Sequence, residues 1–241
     1  MQLPDPFEHV GDHIGIALPD GRALFTTRRG GVSEGAYASL NLGRWTDDDP
    51  DAVHRNRTIV ASAIGVSLDA VVQGRQVHGV RVERRAAADG ALEEADGQAT
   101  ATRGLAALVL TADCLPVALI GERAVAMLHA GWRGLAQGVL EEGVQAVRAL
   151  GGDGELQAAI GPGAGGCCYE VGPEVHSAFG HPARKATIDL KAIAAQRLRA
   201  AGVEEIHDVA LCTMCADPDL FFSHRRDGGV TGRQAGVAWR S

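Results

Sequence analysis

Aromatic residues are scarce in this sequence, in which only 4% of the 241 residues are Phe, Trp or Tyr. Hydrophobic residues nevertheless make up 46% of the chain, and 32 residues are glycine. The core must therefore be built from Val, Leu, Ile and Ala, and we expect its backbones to approach one another closely. A chain of this length can bury enough apolar surface to fold without disulfides, and we expect a single domain over residues 1–241.

The sequence also lacks a block of Lys or Arg, and its formal net charge is −7. The sequence therefore lacks the cluster of positive charge that is typical of nucleic-acid-binding proteins. The first residues, MQLPDPFEHVGDH, lack the basic start and apolar run of a signal peptide. The least charged stretch, residues 104–121, contains Asp113 and Pro116, which suit buried strands better than a membrane span. We expect a soluble, cytoplasmic protein with no membrane or nucleic-acid partner.

Cysteines are few, and without an export signal they point to thiols, metal ligands or catalysis rather than to disulfides. Cys212 and Cys215 form a Cys-x-x-Cys pair, which is typical of a redox pair or of half a zinc site, but no second pair of that spacing accompanies it. Cys167 and Cys168 are adjacent, so we expect them to point to different sides and at most one of them to line a site. The fifth cysteine is Cys114.

Short apolar runs alternate irregularly with amphipathic stretches along the chain. The runs that predict strands are 14–18 and 22–27 as a hairpin, 80–82, 105–110, 115–120, 124–128, 156–160 and 206–211. Residues 221–239 predict two further strands around a basic glycine loop, and residues 83–104 predict an exposed connection with Asp96 near its inner end. Helices are predicted at 51–64, 134–150, 173–179 and 189–201. This alternation indicates an α/β or α+β layered domain with mixed sheets.

Three potential metal ligands stand beside predicted strands. Cys114 follows the run 105–110, and His129 follows the run 124–128. His78 lies between short β-prone pieces, where a lone histidine is more often structural than functional. Cys and His hold borderline or soft metal ions, and a catalytic zinc site needs three protein ligands and an open fourth position. The sequence therefore predicts a metal site formed by His78, Cys114 and His129.

Two glycine-containing segments carry an arginine that suits an anion. Residues 26–33 form a polar loop with Arg28, which is either an anion-binding loop or an ordinary surface loop. Arg133 lies at the start of the helix predicted over 134–150, where free backbone N–H groups can also bind an anion. A third glycine-rich turn, residues 161–166, is too irregular for a dinucleotide or phosphate-loop fingerprint.

Seven motifs stand in order along the chain: FTTRRGGVS, SLNLG, QVHG, TADCLPV, LHAGWRG, CCYEVG and FFSHRRDGG. In these motifs and their order, the chain resembles the laccase-domain proteins, also called multicopper polyphenol oxidoreductase-like or peptidoglycan-editing-factor proteins, across nearly its whole length. In the family, the histidines of QVHG and HAGWRG and the cysteine of TADCLPV form the metal site, which carries over to His78, His129 and Cys114. Two departures are Trp45, where many relatives have histidine, and the segment 161–165, where relatives often read GPxIG.

The resemblance implies a single αββα-layered domain, and the ligand set predicts zinc as the metal, with copper as the alternative. The resemblance also implies a purine nucleoside enzyme that converts adenosine, inosine or methylthioadenosine and phosphate to free base and ribose 1-phosphate, and that deaminates adenosine. For deamination, Asp113 is the candidate for proton transfer, although a buried structural role is equally open. For phosphorolysis, Arg28, Arg133 or Arg225 is expected to hold phosphate.

Three other hypotheses stay open at this point. Cys114 could be the nucleophile of a hydrolase, activated by His129. A copper-dependent phenol oxidase would need several coppers and clustered histidines, whereas the nine histidines contain no His-x-His pair. In a third hypothesis, the protein binds cell-wall precursors for quality control, and Cys215 completes a structural metal site. The sequence does not indicate an oligomeric state.

Overall fold

A computed structural model of the chain describes residues 2–90, 92–151 and 154–240. Its strands are β1 (Phe7–Val10), β2 (His13–Leu18), β3 (Gly21–Phe25), β4 (Val71–Val72), β5 (Val82–Arg84), β6 (Gly97–Thr100), β7 (Ala106–Thr111), β8 (Leu115–Gly121), β9 (Val125–Ala130), β10 (Leu156–Ile160), β11 (Glu170–Val171), β12 (Ala186–Thr187), β13 (Glu205–Asp208) and β14 (Gln234–Trp239). Its α-helices are α1 (Pro50–Ala63), α2 (Trp132–Gln137), α3 (Val139–Ala149), α4 (Pro173–Ala178) and α5 (Leu190–Ala200). Short 3₁₀ turns occupy Gly35–Tyr37 and Leu68–Ala70.

The first sheet has the strand order β1-β2-β3-β14-β7-β4. Its neighbouring strands are antiparallel, apart from β4, which is parallel to β7. The predicted hairpin is confirmed, since β2 and β3 pair Ile14 with Phe25 at one end and Leu18 with Gly21 at the turn. The strand β14 lies between β3 and β7, so it joins this hairpin to the middle of the chain.

The second sheet has the order β13-β10-β8-β9-β6-β5. The pairs at its two edges are parallel, and the inner pairs are antiparallel. Every residue of β8 and β9 is buried, which explains why both strands appear in the sequence as continuous apolar runs. Their register pairs Leu115 with Ala130 and Pro116 with His129, so Cys114 comes directly before the end of this pairing.

The two sheets pack face to face, and helices cover their outer faces. Side chains of β8 alternate between the two sides, as a strand requires. Val117 and Leu119 pack in a core with α3 and α5, whereas Ala118 and Ile120 pack in the core between the sheets. The outer face of the first sheet packs against α1 through residues such as Leu108. This αββα arrangement with mixed sheets confirms the expected fold class.

Small residues bring the layers close together, as the composition predicts. A Cβ atom at Gly236 in β14 would lie 2.7 Å from Pro116 Cβ and 2.8 Å from Met127 Sδ of the opposite sheet. A Cβ atom at Gly161, just after β10, would lie 2.3 Å from the ring of Phe25. Any larger residue would force these elements apart, because interiors are already close-packed.

The single helix predicted over residues 134–150 is wrong. Gly138 adopts a φ of 108°, a conformation that L-residues rarely adopt, and it divides the segment into α2 and α3. The apolar stripe continues across the break, which is why the sequence pattern resembled one helix. The other three predicted helices are confirmed, and Asp189 caps α5 by accepting from Lys191 N and Ala192 N.

Three predictions about strands need correction. Phe221 and Phe222 are fully buried but form no strand, because the side chain of Gln234 bonds both the N–H and the carbonyl of Phe222 in place of a neighbouring strand. Residues 97–100 form the buried strand β6 within the segment predicted as an exposed connection. The strand predicted over 206–211 ends at Asp208, whose carboxylate accepts the N–H of Ala210 at a positive φ.

The prediction of a single domain stays a prediction, and it includes residues 1, 91, 152, 153 and 241, which lie outside the described residues. Within the part of the chain that the structure describes, no helix is long and apolar enough to cross a membrane.

One buried amide fixes a long loop to α1. Asn56 is fully buried. Its Nδ2 donates to Ser33 Oγ (2.8 Å) and to the carbonyl of Asn41 (2.9 Å), and its Oδ1 accepts the N–H of Val32 (2.8 Å). These bonds join both ends of the segment 32–41 to one side chain.

We predict that Asn56→Ala lowers the free energy of unfolding by at least about 2 kcal/mol, because it leaves several buried polar groups without partners. Urea denaturation measures the change. Arg55→Ala, at the neighbouring exposed position of α1, is the control and should change stability by less than about 0.5 kcal/mol. Equal effects of the two substitutions would contradict this assignment.

Candidate metal centre and adjoining cleft

The structure brings the three predicted metal ligands together. The candidate ligand atoms of His78, Cys114 and His129 all lie within 4.8 Å of one another. His78 Nε2 is 3.9 Å from Cys114 Sγ, and the two histidine rings meet edge to face with centroids 4.8 Å apart. His129 belongs to β9, Cys114 follows β7, and His78 lies in the loop after β4 with a φ of 60°.

A buried carboxylate holds two of these ligands in place. Asp96 is fully buried and accepts a hydrogen bond from His129 Nδ1 (2.7 Å). It also accepts the backbone N–H groups of Val77, His78 and Gly79 at 2.7–3.1 Å. Burial favours the neutral acid, but the hydrogen bonds and the charge of His129 outweigh it and lower the pKa of Asp96. The carboxylate therefore orients His129, with Nε2 left for a metal.

Glycine allows the three ligands to converge. A Cβ atom at Gly131 would lie 2.8 Å from His78 Cδ2 and 3.2 Å from Cys114 Sγ. At Gly134, in the first turn of α2, a Cβ atom would lie 2.6 Å from the carbonyl oxygen of Gly79. The glycines of the segment 131–134 thus let the His78 loop lie directly against the start of the helix.

Cys114 and His129 influence each other's ionisation. Burial opposes the thiolate, but the charge of His129 and hydrogen bonds from His129 and His78 lower the pKa of Cys114 to about 6. Burial likewise opposes the charged imidazole, whereas the Cys114 thiolate and Asp96 raise the pKa of His129 to about 9. A thiolate is the form of cysteine that binds metal ions. The donor set of one thiolate and two imidazoles, with its carboxylate support, therefore fits a zinc or copper ion.

Asp113 is tied to two neighbouring loops. It is buried, and its backbone adopts a φ of 90°. Its Oδ1 accepts from Thr213 Oγ1 (2.7 Å), and its Oδ2 accepts from the backbone N–H of Arg225 (2.8 Å). Both carboxylate oxygens thus have partners, and they fix the turn that presents Cys114.

The metal centre opens into a cleft of about 330 Å³, within the range of pockets that bind small molecules. The residues that line it include His78, Cys114, His129, Trp45, His224 and Arg233. Trp45 is 58% exposed and offers an aromatic face to the cleft.

Arg233 lines the cleft, although the sequence analysis did not single it out. Its Nη1 donates to the carbonyls of Thr231 (2.8 Å) and Gly232 (2.9 Å), and its backbone N–H donates to Asn41 Oδ1 (2.8 Å). Burial lowers the pKa of Arg233 below its usual value, and the charges of Cys114 and Asp113 offset this effect only in part. No local pattern in GVTGRQ marks this residue, because its position depends on contacts with residue 41.

The three arginines predicted to bind phosphate are not among the residues that line this cleft, and their role stays a prediction. Arg28 donates from Nε to the carbonyl of Ala38 (2.6 Å) and lies 4.4 Å from the ring centre of Phe222, so it joins loops. Arg133 stacks over the ring of its neighbour Trp132. Arg225 stacks over the ring of Tyr169. Burial and the charge of Cys114 raise the pKa of the Tyr169 hydroxyl.

The remaining cysteines lie together at a separate place. Cys215 Sγ is 3.4 Å from Cys167 and 2.9 Å from Cys168, so it is not the fourth ligand of the His78 centre. The expectation that Cys167 and Cys168 point to different sides is also wrong, since their sulfurs are 3.7 Å apart. A turn over residues 165–169 folds both side chains toward the same loop.

Comparison with known proteins agrees with this geometry. Residues 22–241 match the family model described as multi-copper polyphenol oxidoreductase laccase. The chain belongs to this family. A protein of Corynebacterium glutamicum named purine nucleoside phosphorylase is 42% identical over 234 residues, which cover 90% of this chain and 94% of that protein. A protein of Pseudomonas aeruginosa with the same name is 41% identical over 237 residues, which cover 90% and 93%.

Solved structures of family proteins share the fold. A Neisseria meningitidis protein aligns with a TM-score of 0.84 at 39% identity and covers 93% of this chain and 96% of its own. YlmD from Geobacillus stearothermophilus aligns with a TM-score of 0.88 at 32% identity and covers 98% and 99%. The predicted resemblance to the family is thereby confirmed.

We predict that Asp96→Asn weakens zinc binding at the His78 centre by about 10- to 100-fold, because the amide is a poorer acceptor for His129 Nδ1. Competition with a chromogenic chelator measures the dissociation constant. Glu93→Gln, at an exposed position of the same segment, is the matched control and should leave the constant unchanged. An unaltered constant in Asp96→Asn would show that the carboxylate does not tune this centre.

Proposed function

We propose that the protein is a metal-dependent purine nucleoside phosphorylase. It would convert adenosine, inosine or methylthioadenosine and phosphate to free base and ribose 1-phosphate. The observation that carries this proposal is that the His78–Cys114–His129 centre, Arg233 and Trp45 all open into one cleft. The relatives named purine nucleoside phosphorylase support the choice of reaction.

Arg233 is the proposed phosphate ligand. A guanidinium has five N–H donors, and the bonds to Thr231 and Gly232 use only two of them. These bonds also fix the group at the cleft wall, so little side-chain entropy is lost when an anion binds. Arg133 and Arg225, which flank Tyr169 near Cys114, are the alternative phosphate ligands from the sequence analysis.

The reaction needs a base site and a proton as well as a phosphate site. A phosphate oxygen forms a bond to the sugar C1′ while the bond from C1′ to the purine breaks, and its electron pair moves onto the purine. The exposed ring of Trp45 offers a stacking surface for the base. His224 lines the same cleft, and it is the proposed donor of a proton to the leaving purine nitrogen.

His78, Cys114 and His129 are the residues that would hold zinc, or copper in its place. When bound, the ion would supply a Lewis acid at this end of the cleft. Asp96 would orient His129, and Asp113 would position the Cys114 turn through its bonds to Thr213 and Arg225. We therefore assign Asp113 a positioning role, rather than the proton transfer considered from its place beside Cys114.

Adenosine deamination is a second proposed activity of the same centre. Water forms a bond to the purine carbon that carries the amino group, the bond from that carbon to the amino nitrogen breaks, and ammonia leaves. The opening of the candidate metal centre into the cleft would allow water to approach. Product analysis separates the two reactions, because deamination does not consume phosphate.

A cysteine hydrolase is the rival enzyme, and the lowered pKa of Cys114 suits a nucleophile as well as a metal ligand. Metal-free protein that still hydrolyses a substrate and loses this activity on alkylation of Cys114 would favour the hydrolase. A copper phenol oxidase is less well supported. Several coppers would need many clustered histidines. Among the described residues, the one candidate metal site that contains histidine is His78–Cys114–His129, which has only two.

The first test is to incubate zinc-loaded protein with adenosine, with and without phosphate, and to separate the products by chromatography. We expect adenine and ribose 1-phosphate only in the presence of phosphate, because phosphate is the attacking group. Inosine in both samples would add the deaminase. Adenosine that stays unchanged in both samples of metal-loaded protein would contradict the proposal.

Substitution of arginine identifies the phosphate site. We predict that Arg233→Ala raises the KM for phosphate at least about tenfold, because a charged hydrogen bond to the anion is lost. Its KM for the nucleoside should change much less. The same substitution at Arg133 and at Arg225 provides the comparison. If the KM for phosphate is raised in either of these variants and is normal in Arg233→Ala, phosphate binds beside Tyr169 and the assignment to Arg233 is wrong.

A further inference from the structure

Four cysteines form a second cluster, which the proposed reaction does not use. Cys167 and Cys168 follow the glycine-rich turn after β10, and Cys212 and Cys215 lie in the loop after β13. Their four sulfurs all lie within 4.8 Å of one another, and all four are free thiols. The Cys-x-x-Cys pair thus has a matching second pair, which could not be recognised by spacing because the second pair consists of adjacent residues.

The spacing of the sulfurs suits a tetrahedral ion. Zinc–sulfur bonds of about 2.3 Å place the sulfurs of a tetrahedral site about 3.8 Å apart. The sulfurs are 3.7 Å apart for Cys167–Cys168, 3.4 Å for Cys167–Cys215, 3.5 Å for Cys168–Cys212 and 2.9 Å for Cys168–Cys215. Small side-chain rotations would therefore bring all four sulfurs onto one ion.

The backbone around one member of the cluster, Cys212, favours a thiolate. The N–H of Gly165 donates to Cys212 Sγ (3.2 Å), and the N–H groups of Met214 and Cys215 also face this sulfur. A Cβ atom at Gly165 would lie 3.2 Å from Cys167 Sγ and from Cys212 Cβ, so a larger residue would crowd the cluster. Hydrogen bonds from backbone N–H groups stabilise the negative charge that metal-bound sulfur carries.

We propose that Cys167, Cys168, Cys212 and Cys215 bind one structural zinc ion, separate from the ion of the His78 centre. Four thiolates would fill the tetrahedral coordination and leave no open position for substrate. Each thiol gives up its proton when the ion binds, so binding becomes weaker as the pH falls. The proposed site would use four sulfurs, whereas the His78 centre has one sulfur and opens into the cleft.

The location of the cluster gives the ion a structural purpose. Two loops that are distant in sequence meet here. The N–H of Gly163 donates to the carbonyl of Leu211 (3.3 Å), the N–H of Thr213 donates to the carbonyl of Gly163 (3.1 Å), and the N–H of Gly165 donates to Cys212 Sγ. Thr213 also donates to Asp113, the residue before Cys114. An ion that joins the two loops would thus stabilise the turn that presents a ligand of the first centre.

Metal content tests the proposal directly. Protein is purified under reducing conditions with zinc supplied, and the number of zinc ions per chain is measured by inductively coupled plasma mass spectrometry. We expect the double variant Cys212→Ser/Cys215→Ser to hold one zinc equivalent fewer than the wild type. Cys114→Ser, which removes a ligand of the His78 centre, is the comparison: it should keep the zinc of the cluster, and combining it with the double variant should remove a further equivalent. Zinc content that is the same in the wild type and the double variant would overturn the proposal.

Cobalt replacement keeps the proposal testable if the double variant does not fold. Thiolate sulfur bound to cobalt(II) gives an intense ultraviolet charge-transfer band, which grows with the number of sulfur ligands. In Cys114→Ser the band should persist at most of its wild-type intensity, because four of the five sulfurs are in the cluster. Loss of the band in Cys114→Ser would overturn the proposal.

Disulfide formation is the competing use of these cysteines. Intact mass of the denatured, non-reduced protein distinguishes it, since each disulfide removes two hydrogens. Protein purified without reductant that holds no zinc at the cluster and carries one or two disulfides would also overturn the proposal. A full complement of free thiols after removal of zinc by a chelator is the expected result.

Discussion

The hydrogen bonds of Asp96 are the interaction on which the candidate site depends. One buried carboxylate accepts from His129 in β9 and from three successive N–H groups of the loop that carries His78. A buried charge of this kind persists only when it is fully hydrogen-bonded, so strand and loop are held in one arrangement. The two histidines are therefore held at a fixed separation by the protein itself, and the candidate metal centre is preorganised.

The small-residue core makes this convergence possible. Close packing of the two sheets at Gly236 and Gly161 leaves the ends of β7 and β9 near each other. Gly131 and Gly134 then admit the His78 loop against α2. A core with more aromatic side chains would separate these layers. Close packing of small side chains thus accounts both for the low aromatic content of the core and for the convergence of the ligands at this site.

Much of this site could be predicted from the sequence, because its ligands lie at the boundaries of strongly patterned strands. Cys114 and His129 follow or end buried apolar runs, and the family motifs add His78. Arg233 and the partners of Asp96 could not be predicted, since both depend on contacts between segments distant in the chain. The same applies to the cysteine cluster, whose members are separated by 44 to 48 residues across the contacts between the two loops.

Local backbone geometry explains most of the errors in the predicted fold. The break at Gly138 leaves the apolar stripe intact, so periodicity alone gave one helix instead of two. Phe222 has the burial of a strand residue, yet the side chain of Gln234 supplies its hydrogen bonds. In both places the hydrophobic pattern predicted burial correctly and secondary structure incorrectly, because burial does not determine which group satisfies the backbone.

The most direct test of this account is anomalous X-ray diffraction at the zinc edge, from crystals grown with zinc and soaked with a nucleoside and phosphate. The account predicts a zinc peak bounded by His78, Cys114 and His129, with the purine beside Trp45 and the phosphate within hydrogen-bond distance of Arg233. A nucleoside bound at a different place, with the cleft empty and no zinc among these three residues, would contradict it.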